Sequence, residues 1–232
     1  MIDLHAHVLP GLDDGPASLG ESLQLLKRMQ EQGVKTVVAA AHALDGRYNA
    51  SKEAVLRATE QVNLALQAAD LTIGVVPSME LYLTFDVLRM VKSGQVLGLG
   101  DSRYLVVELP HREFPTYTER ALFELMISGY RPILNHPERN FAIQRRPGLM
   151  EGLAEKGVLA MVTAASLLGR FGPEAKRLGE RFLADEVAEL VVSDAHDLSG
   201  RAPLLPEGLA AARRFGKPDQ AAEAMILDGA PR

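Results

Sequence analysis

Short apolar, β-branched runs alternate with amphipathic stretches along almost the whole chain. Ile2–His5 predicts a brief strand, and the next segment places Leu19, Leu23, Leu26 and Met29 at helical spacing. Ser18 with Glu21 three residues on predicts a capped helix start, and Gly33 predicts its end. The same alternation then repeats. Strands are predicted at Lys35–Ala41, Thr72–Met79, Tyr104–Leu109, Arg131–Asn135, Val158–Val162 and Glu189–Ser193. Helices are predicted at Ser51–Ala69, around Phe85–Val91, and over Thr116–Ser128, Leu149–Lys156 and Pro173–Ala184, with a mostly helical remainder. Gln95–Gly100 reads as a small hairpin arm. Strands that return through helices run parallel, so the pattern predicts an α/β fold of seven strand–helix units, closed or nearly closed into a barrel. In such barrels the chemistry sits at the C-terminal ends of the strands.

Composition narrows the picture. At 232 residues, with 47% hydrophobic and 24% charged positions, the chain suits one domain over 1–232 with a sizeable core. A net charge of -5 offers no basic face to a nucleic acid. The absence of cysteine excludes disulfides, thiolate metal clusters and thiol-based phosphatase chemistry. Any metal ligands must therefore be imidazole and carboxylate. The first residues do not read as a secretory signal, and the most apolar run, Gly157–Gly169, is too short to span a bilayer. A cytoplasmic location without membrane insertion is expected.

The predicted strand ends collect a donor set. His5 and His7 end the first strand, with Asp13 and Asp14 in the loop beyond, and His42 ends the second. Glu80 follows the third, Glu108 the fourth, His136 the fifth, and Asp194 with His196 the seventh. Five of the six histidines thus lie at one rim, and the sixth, His111, is three residues past Glu108. In His5-x-His7 the two side chains point the same way and can reach one ion. The set His5, His7, Asp14, His42, Glu80, Glu108, His136, Asp194 and His196 exceeds what one ion takes, so two or three divalent ions are expected. Nitrogen and oxygen donors suit Mn, Fe, Zn or Co, and Glu80 and Glu108 are natural bridges. Arg139 and Arg201, close after His136 and His196, are suited to phosphate capture. No phosphate loop, H-E-x-x-H, G-x-S-x-G or D-x-D is present.

With these residues laid out, the chain resembles the PHP (polymerase and histidinol phosphatase) metal hydrolases. Within them it resembles the bacterial protein-tyrosine phosphatases of exopolysaccharide and capsule synthesis. MIDLHAHVLPGLDDGP, SMELY, VVELP, NHPER and SDAH carry the likeness over residues 1 to about 201. The resemblance implies a distorted (β/α)7 barrel with a trinuclear, usually manganese-dependent centre. It implies His5, His7, Glu80 and Asp194 on one ion, Glu80, Glu108 and His136 on the second, and Asp14, His42 and His196 on the third. Arg139 and Arg201 match phosphate-contacting arginines. A metal-dependent phosphomonoesterase is expected, acting on phosphotyrosine of a protein such as a cognate tyrosine autokinase through a metal-bridging hydroxide. His42 or a bound water is the expected acid. The alternative is a small phosphomonoester such as histidinol phosphate. The sequence departs from the family at Ala40-Ala41-His42-Ala43, where Ala43 replaces a second histidine near the substrate entrance.

Overall fold

The computed structural model describes residues 1–215 and Met225. In chain order the strands and helices are β1 (Ile2–Ala6), α1 (Leu19–Glu31), β2 (Thr36–Ala39), β3 (His42–Ala43), α2 (Lys52–Ala68), β4 (Gly74–Pro77) and β5 (Glu80–Tyr82). There follow α3 (Val87–Lys92), β6 (Tyr104–Glu108), α4 (Thr118–Ile127), β7 (Arg131–Asn135), α5 (Phe141–Arg145) and α6 (Gly148–Ala154). The last are β8 (Leu159–Thr163), α7 (Ala164–Leu167), α8 (Gly172–Ala184), β9 (Leu190–Val192) and α9 (Leu205–Ala212). Single 3-10 turns lie at Pro137–Arg139 and Arg213–Phe215. The helical remainder expected after the last strand is present as α9 and its 3-10 turn; beyond Phe215, apart from Met225, it lies outside the described residues.

The α1 start shows how sequence becomes structure. Ser18 Oγ accepts from the Glu21 N–H at 3.3 Å, while the Glu21 carboxylate reaches back to the Ala17 N–H at 2.8 Å. Two amide donors left open at a helix start are thereby satisfied. Leu25, Leu26 and Met29 turn inward from this helix.

All strand pairings within the two sheets are parallel, in the orders β1-β2-β4 and β3-β5-β6-β7-β8-β9. The predicted second and third strands are each interrupted, at Ala40–Ala41 and at Ser78–Met79, and this corrects the placing of His42 and Glu80 beyond their ends. The interruptions lie level, and Ser78 N–H→Ala39 O and Glu80 N–H→Ala41 O, both 2.9 Å, carry pairing across them. His42 and Glu80 open the resumed segments and face each other in register. The predicted hairpin arm is reduced to one antiparallel bridge, Gly98 with Gly100. The chain packs so closely there that a Cβ on Gly98 would lie 2.4 Å from Ser102 O.

β1 carries the feature that matters most for the site. Asp3 pairs with Val37 but Ala6 with Ala39, so three steps along β1 match two along β2. This one-residue bulge reverses the in–out alternation partway along the strand. Leu4 joins a small apolar cluster with Val38, Val106, Ile133, Met161 and Val192. Ala6 instead joins the larger core under the helices, so His5 and His7 keep to the side of Leu4. On the other strands, two-residue periodicity carries the small-cluster side from Val106 to Glu108, from Ile133 to Asn135 and from Val192 to Asp194.

Candidate metal centre

Beyond the small apolar cluster, polar side chains converge. His5 Nε2 and His7 Nε2 are 3.3 Å apart, both fully buried. Glu80 Oε2 lies 3.5 Å from His5 Nε2, 3.3 Å from His7 Nε2 and 3.3 Å from His42 Nδ1. Asp194 Oδ1 is 3.5 Å from His5 Nε2. On a second side, His136 Nε2 is 3.7 Å from Glu80 Oε1 and 3.5 Å from Glu108 Oε1. On a third, Asp14 Oδ1 is 3.4 Å from both His42 Nε2 and His196 Nε2. All nine side chains expected from the strand ends are therefore drawn into one cluster. Among the described residues, three overlapping sets have spacings that could hold a cation: His7, Asp14, His42 and His196; His5, His7 and Glu80; and His42, Glu80 and Glu108.

Local backbone geometry aims several of these groups. His136 and Asp194 take left-handed conformations, φ 35° and 53°, which are uncommon for non-glycine residues. The turn after β9 directs the two members of Asp194-x-His196 to different places, Asp194 to His5 and His196 to Asp14. His196 Nδ1 is 2.8 Å from the Asp194 carbonyl oxygen; as an N–H it donates there and turns a bare Nε2 toward Asp14.

Two residues outside the expected ligand set organise the cluster. Asp13 Oδ2 is 2.6 Å from His7 Nδ1 and also accepts from the His42 N–H. Its Oδ1 accepts from the Gly15 N–H at 2.9 Å. A carboxylate on Nδ1 fixes the His7 tautomer and leaves Nε2 for a metal. Gly15 permits this close wrapping, since a Cβ there would meet His7 O at 2.9 Å. Asn135 Nδ2 donates to Glu80 Oε1 at 2.5 Å. The adjacent acids Asp13-Asp14 were the available signal for the first; nothing beyond adjacency to His136 marked the second.

The two arginines divide the cluster's carboxylates. Arg139 Nη1 donates to Asp194 Oδ2 at 2.6 Å, and Arg201 Nη2 to Asp14 Oδ2 at 2.7 Å. In each acid one oxygen faces imidazoles and the other an arginine. His42 has both ring nitrogens toward carboxylates, Nε2 to Asp14 and Nδ1 to Glu80.

Electrostatics follow this packing. Burial works to neutralise His5, but the Glu80 and Asp194 carboxylates outweigh it and lift its pKa to about 9. His7 is raised in the same way, against burial, by Asp13 and Glu80. Burial opposes ionisation of Asp14, yet the adjacent His196 and His42 and the hydrogen-bonded Arg201 hold its carboxyl far below the ordinary range. Glu108 is pushed up to about 8, first by burial and then by the charges of Glu80 and Asp194. His136 falls to about 3 through burial and the nearby Arg139 charge.

The donor set fits divalent cations. Glu80 Oε2 and His196 Nε2 are buried polar atoms without a hydrogen-bond partner, each aimed into the cluster. Such atoms are costly unless something polar or charged meets them. Glu108 favours its protonated form through burial first and the charges of Glu80 and Asp194 second, and a cation would relieve the latter.

The CpsB/CapC model of capsular polysaccharide synthesis proteins matches residues 1–230. The chain belongs to this family. Among its relatives, tyrosine-protein phosphatase YwqE of Bacillus subtilis (strain 168) is 34% identical over 201 residues, 87% of this chain and 79% of YwqE. Tyrosine-protein phosphatase CpsB of Streptococcus pneumoniae is 29% identical over 213 residues, 89% of this chain and 87% of that one. Crystal structures of YwqE from Bacillus subtilis and CpsB from Streptococcus pneumoniae describe unique metal-dependent tyrosine phosphatases. A chain from that work matches this fold with a TM-score of 0.95 at 31% identity, over 100% of this chain and 96% of its own.

Proposed function

We propose that this CpsB/CapC family member is a metal-dependent phosphomonoesterase that hydrolyses phosphotyrosine on proteins. One observation carries the reading: Asp14 and Asp194 each turn one oxygen to the imidazoles and the other to an arginine. Bound cations would thereby lie beside guanidinium groups at both ends of the cluster. His5, His7, Glu80 and Asp194 would hold one ion, Glu80, Glu108 and His136 a second, and Asp14, His42 and His196 a third. Manganese is the metal we favour. Bound divalent ions supply Lewis acidity and lower the pKa of water toward neutrality.

The chain's own groups supply the remainder. Arg139 and Arg201 have further N–H donors beyond those on Asp194 and Asp14, and these take the equatorial phosphoryl oxygens. Asp194 and Asp14 fix the two guanidinium planes, so no reorganisation is needed as charge shifts. With both ring nitrogens on carboxylates, His42 serves as a ligand in this reading, and its role as the acid is secondary.

In the same reading the two sheets form one distorted seven-unit barrel of PHP type, a single domain over 1–232. The pairing across the interrupted strands supports it, as do Asp194 N–H→His5 O at 3.0 Å and His7 N–H→Ala195 O at 2.8 Å between the β9 end and β1. No helix among the described residues is long and apolar enough to cross a membrane. A cognate tyrosine autokinase is the protein substrate we favour, with a cytoplasmic location to match. The phosphatase names of the relatives weigh against histidinol phosphate. The test is metal analysis of the purified protein, coupled to hydrolysis of a phosphotyrosyl peptide and of histidinol phosphate with and without added Mn. Manganese-stimulated turnover of the peptide is expected; turnover of histidinol phosphate alone would overturn the assignment.

A further inference from the structure

Beside the cluster, on the Arg139 side, lies a cavity of about 410 Å³ lined mainly by apolar and aromatic surface. Its walls include His111, Arg139, Phe141, Phe171 and Pro173. That volume is in the range of small-molecule sites. The Phe171 ring lies 4.1 Å under the Arg139 guanidinium carbon, and that guanidinium bonds Asp194. His111 meets His136 edge to face, with ring centroids 6.0 Å apart. Phe171 is thus one side chain removed from a proposed ligand, and His111 packs directly on another.

The walls are held in place. Asn140 Nδ2 donates to Pro110 O at 2.8 Å and Glu113 O at 3.0 Å, while its Oδ1 caps α5 through the Ala142 and Ile143 N–H groups. The Phe141 N–H donates to His111 O at 3.0 Å. Phe141 nevertheless leaves 48% of its surface exposed, an unusual presentation for a large apolar ring on so well-fixed a turn.

We propose that this cavity seats the phenyl ring of the phosphotyrosine substrate, with Phe141 and Phe171 as its specificity-determining residues. The inference rests on the phosphatase reading above and adds to it the place of the leaving group. A phosphoryl group held by Arg139 puts its ester substituent against the ring this arginine covers. Aromatic pairs gain from edge-to-face or offset contact, and an aliphatic phosphoester has no ring to offer. Two other hollows lie near the cluster, of about 270 Å³ beside His196 and about 540 Å³ beside Ala43, and neither has a phenylalanine or tyrosine in its wall.

The test compares two peptides of one sequence, one carrying phosphotyrosine and the other phosphoserine, on the Mn-loaded protein and on Phe141→Ala, Phe171→Ala and Phe171→Leu. The wild type should prefer phosphotyrosine. Each alanine variant should lower the phosphotyrosine-to-phosphoserine ratio of kcat/KM roughly five- to tenfold, mainly through KM for the aromatic substrate, and Phe171→Leu should fall between. Loosening Arg139 would slow both peptides alike, so the ratio isolates the ring contact. Phe141 is half exposed and the ring under Arg139 is that of Phe171, so the Phe141 variant decides the matter if Phe171→Ala folds poorly. An unchanged ratio in Phe141→Ala, or equal losses on both peptides in every variant, overturns the seat while leaving the phosphatase reading intact. A wild type inactive on both peptides overturns that reading, and the seat with it.

Discussion

Asp13 is outside the proposed ligand set, yet it decides which nitrogen of His7 faces the cluster. Its Oδ2 takes Nδ1 at 2.6 Å, so Nε2 is left for an ion. Partners of this kind typically change metal affinity 10–100-fold. Asp13→Ala should therefore weaken Mn binding by about that factor, with activity recovered at high Mn. Affinity equal to wild type in a Mn titration would remove the orienting role. The second residue-scale prediction concerns protons. With the pKa of His5 lifted to about 9 and His7 also raised, both imidazoles are protonated at neutral pH before metal enters. A metal ligand must be neutral imidazole, so binding expels those protons, and apparent affinity climbs with pH until about 9. Calorimetry in buffers of different ionisation enthalpy should show net proton release at pH 7; no buffer dependence would contradict it. The nine donors were legible in the sequence because strand ends of a parallel fold gather on one side. Asp13 was not, since two adjacent acids give no sign of which one turns toward a histidine.

At the scale of elements, alternation revealed where strands and helices lie but not how the strands meet. The bulge in β1 exists only as a mismatch with β2, Asp3 to Val37 and then Ala6 to Ala39, and no single-strand pattern contains it. The breaks at Ala40–Ala41 and Ser78–Met79 were equally hidden, because small and apolar residues run straight through them. α5 and the 3-10 turn before it are too short for a helical period to register. Close helix contacts were invisible as well. α9 packs on α7, and a Cβ on Gly208 would sit 2.3 Å from Ala164 Cβ and 2.7 Å from its Cα. Replacing a helical glycine by alanine ordinarily gains about 0.5–1 kcal/mol. Overpacking against atoms that cannot rotate away costs about 1–3 kcal/mol and should win. Gly208→Ala should thus lower Tm by a few degrees in a thermal scan. A rise in Tm would mean that α9 shifts freely on α7.

For the molecule as a whole, four of the thirty acidic residues, Asp14, Glu80, Glu108 and Asp194, gather in the cluster, with Glu80 and Asp194 buried and Asp14 and Asp194 paired to arginines. Packing four acids there opposes folding unless protons or cations offset them, and Glu108, with its pKa raised to about 8, shows the proton route in use. Cations bound only by the folded chain stabilise it by about 2.7 kcal/mol at a hundredfold excess over Kd. For a chain of this size that corresponds to a Tm gain of roughly 5–11 °C. Glu80 is the carboxylate on which His5, His7 and His42 converge. Glu80→Ala should keep its fold with chelator present, lose most of the Mn-dependent gain in Tm, and turn over phosphotyrosyl peptide orders of magnitude more slowly. Thermal scans with EDTA and with Mn, run beside the peptide assay, separate these effects. If the variant gained as much Tm from Mn as the wild type, the ions would bind elsewhere and the convergence on Glu80 would be structural alone.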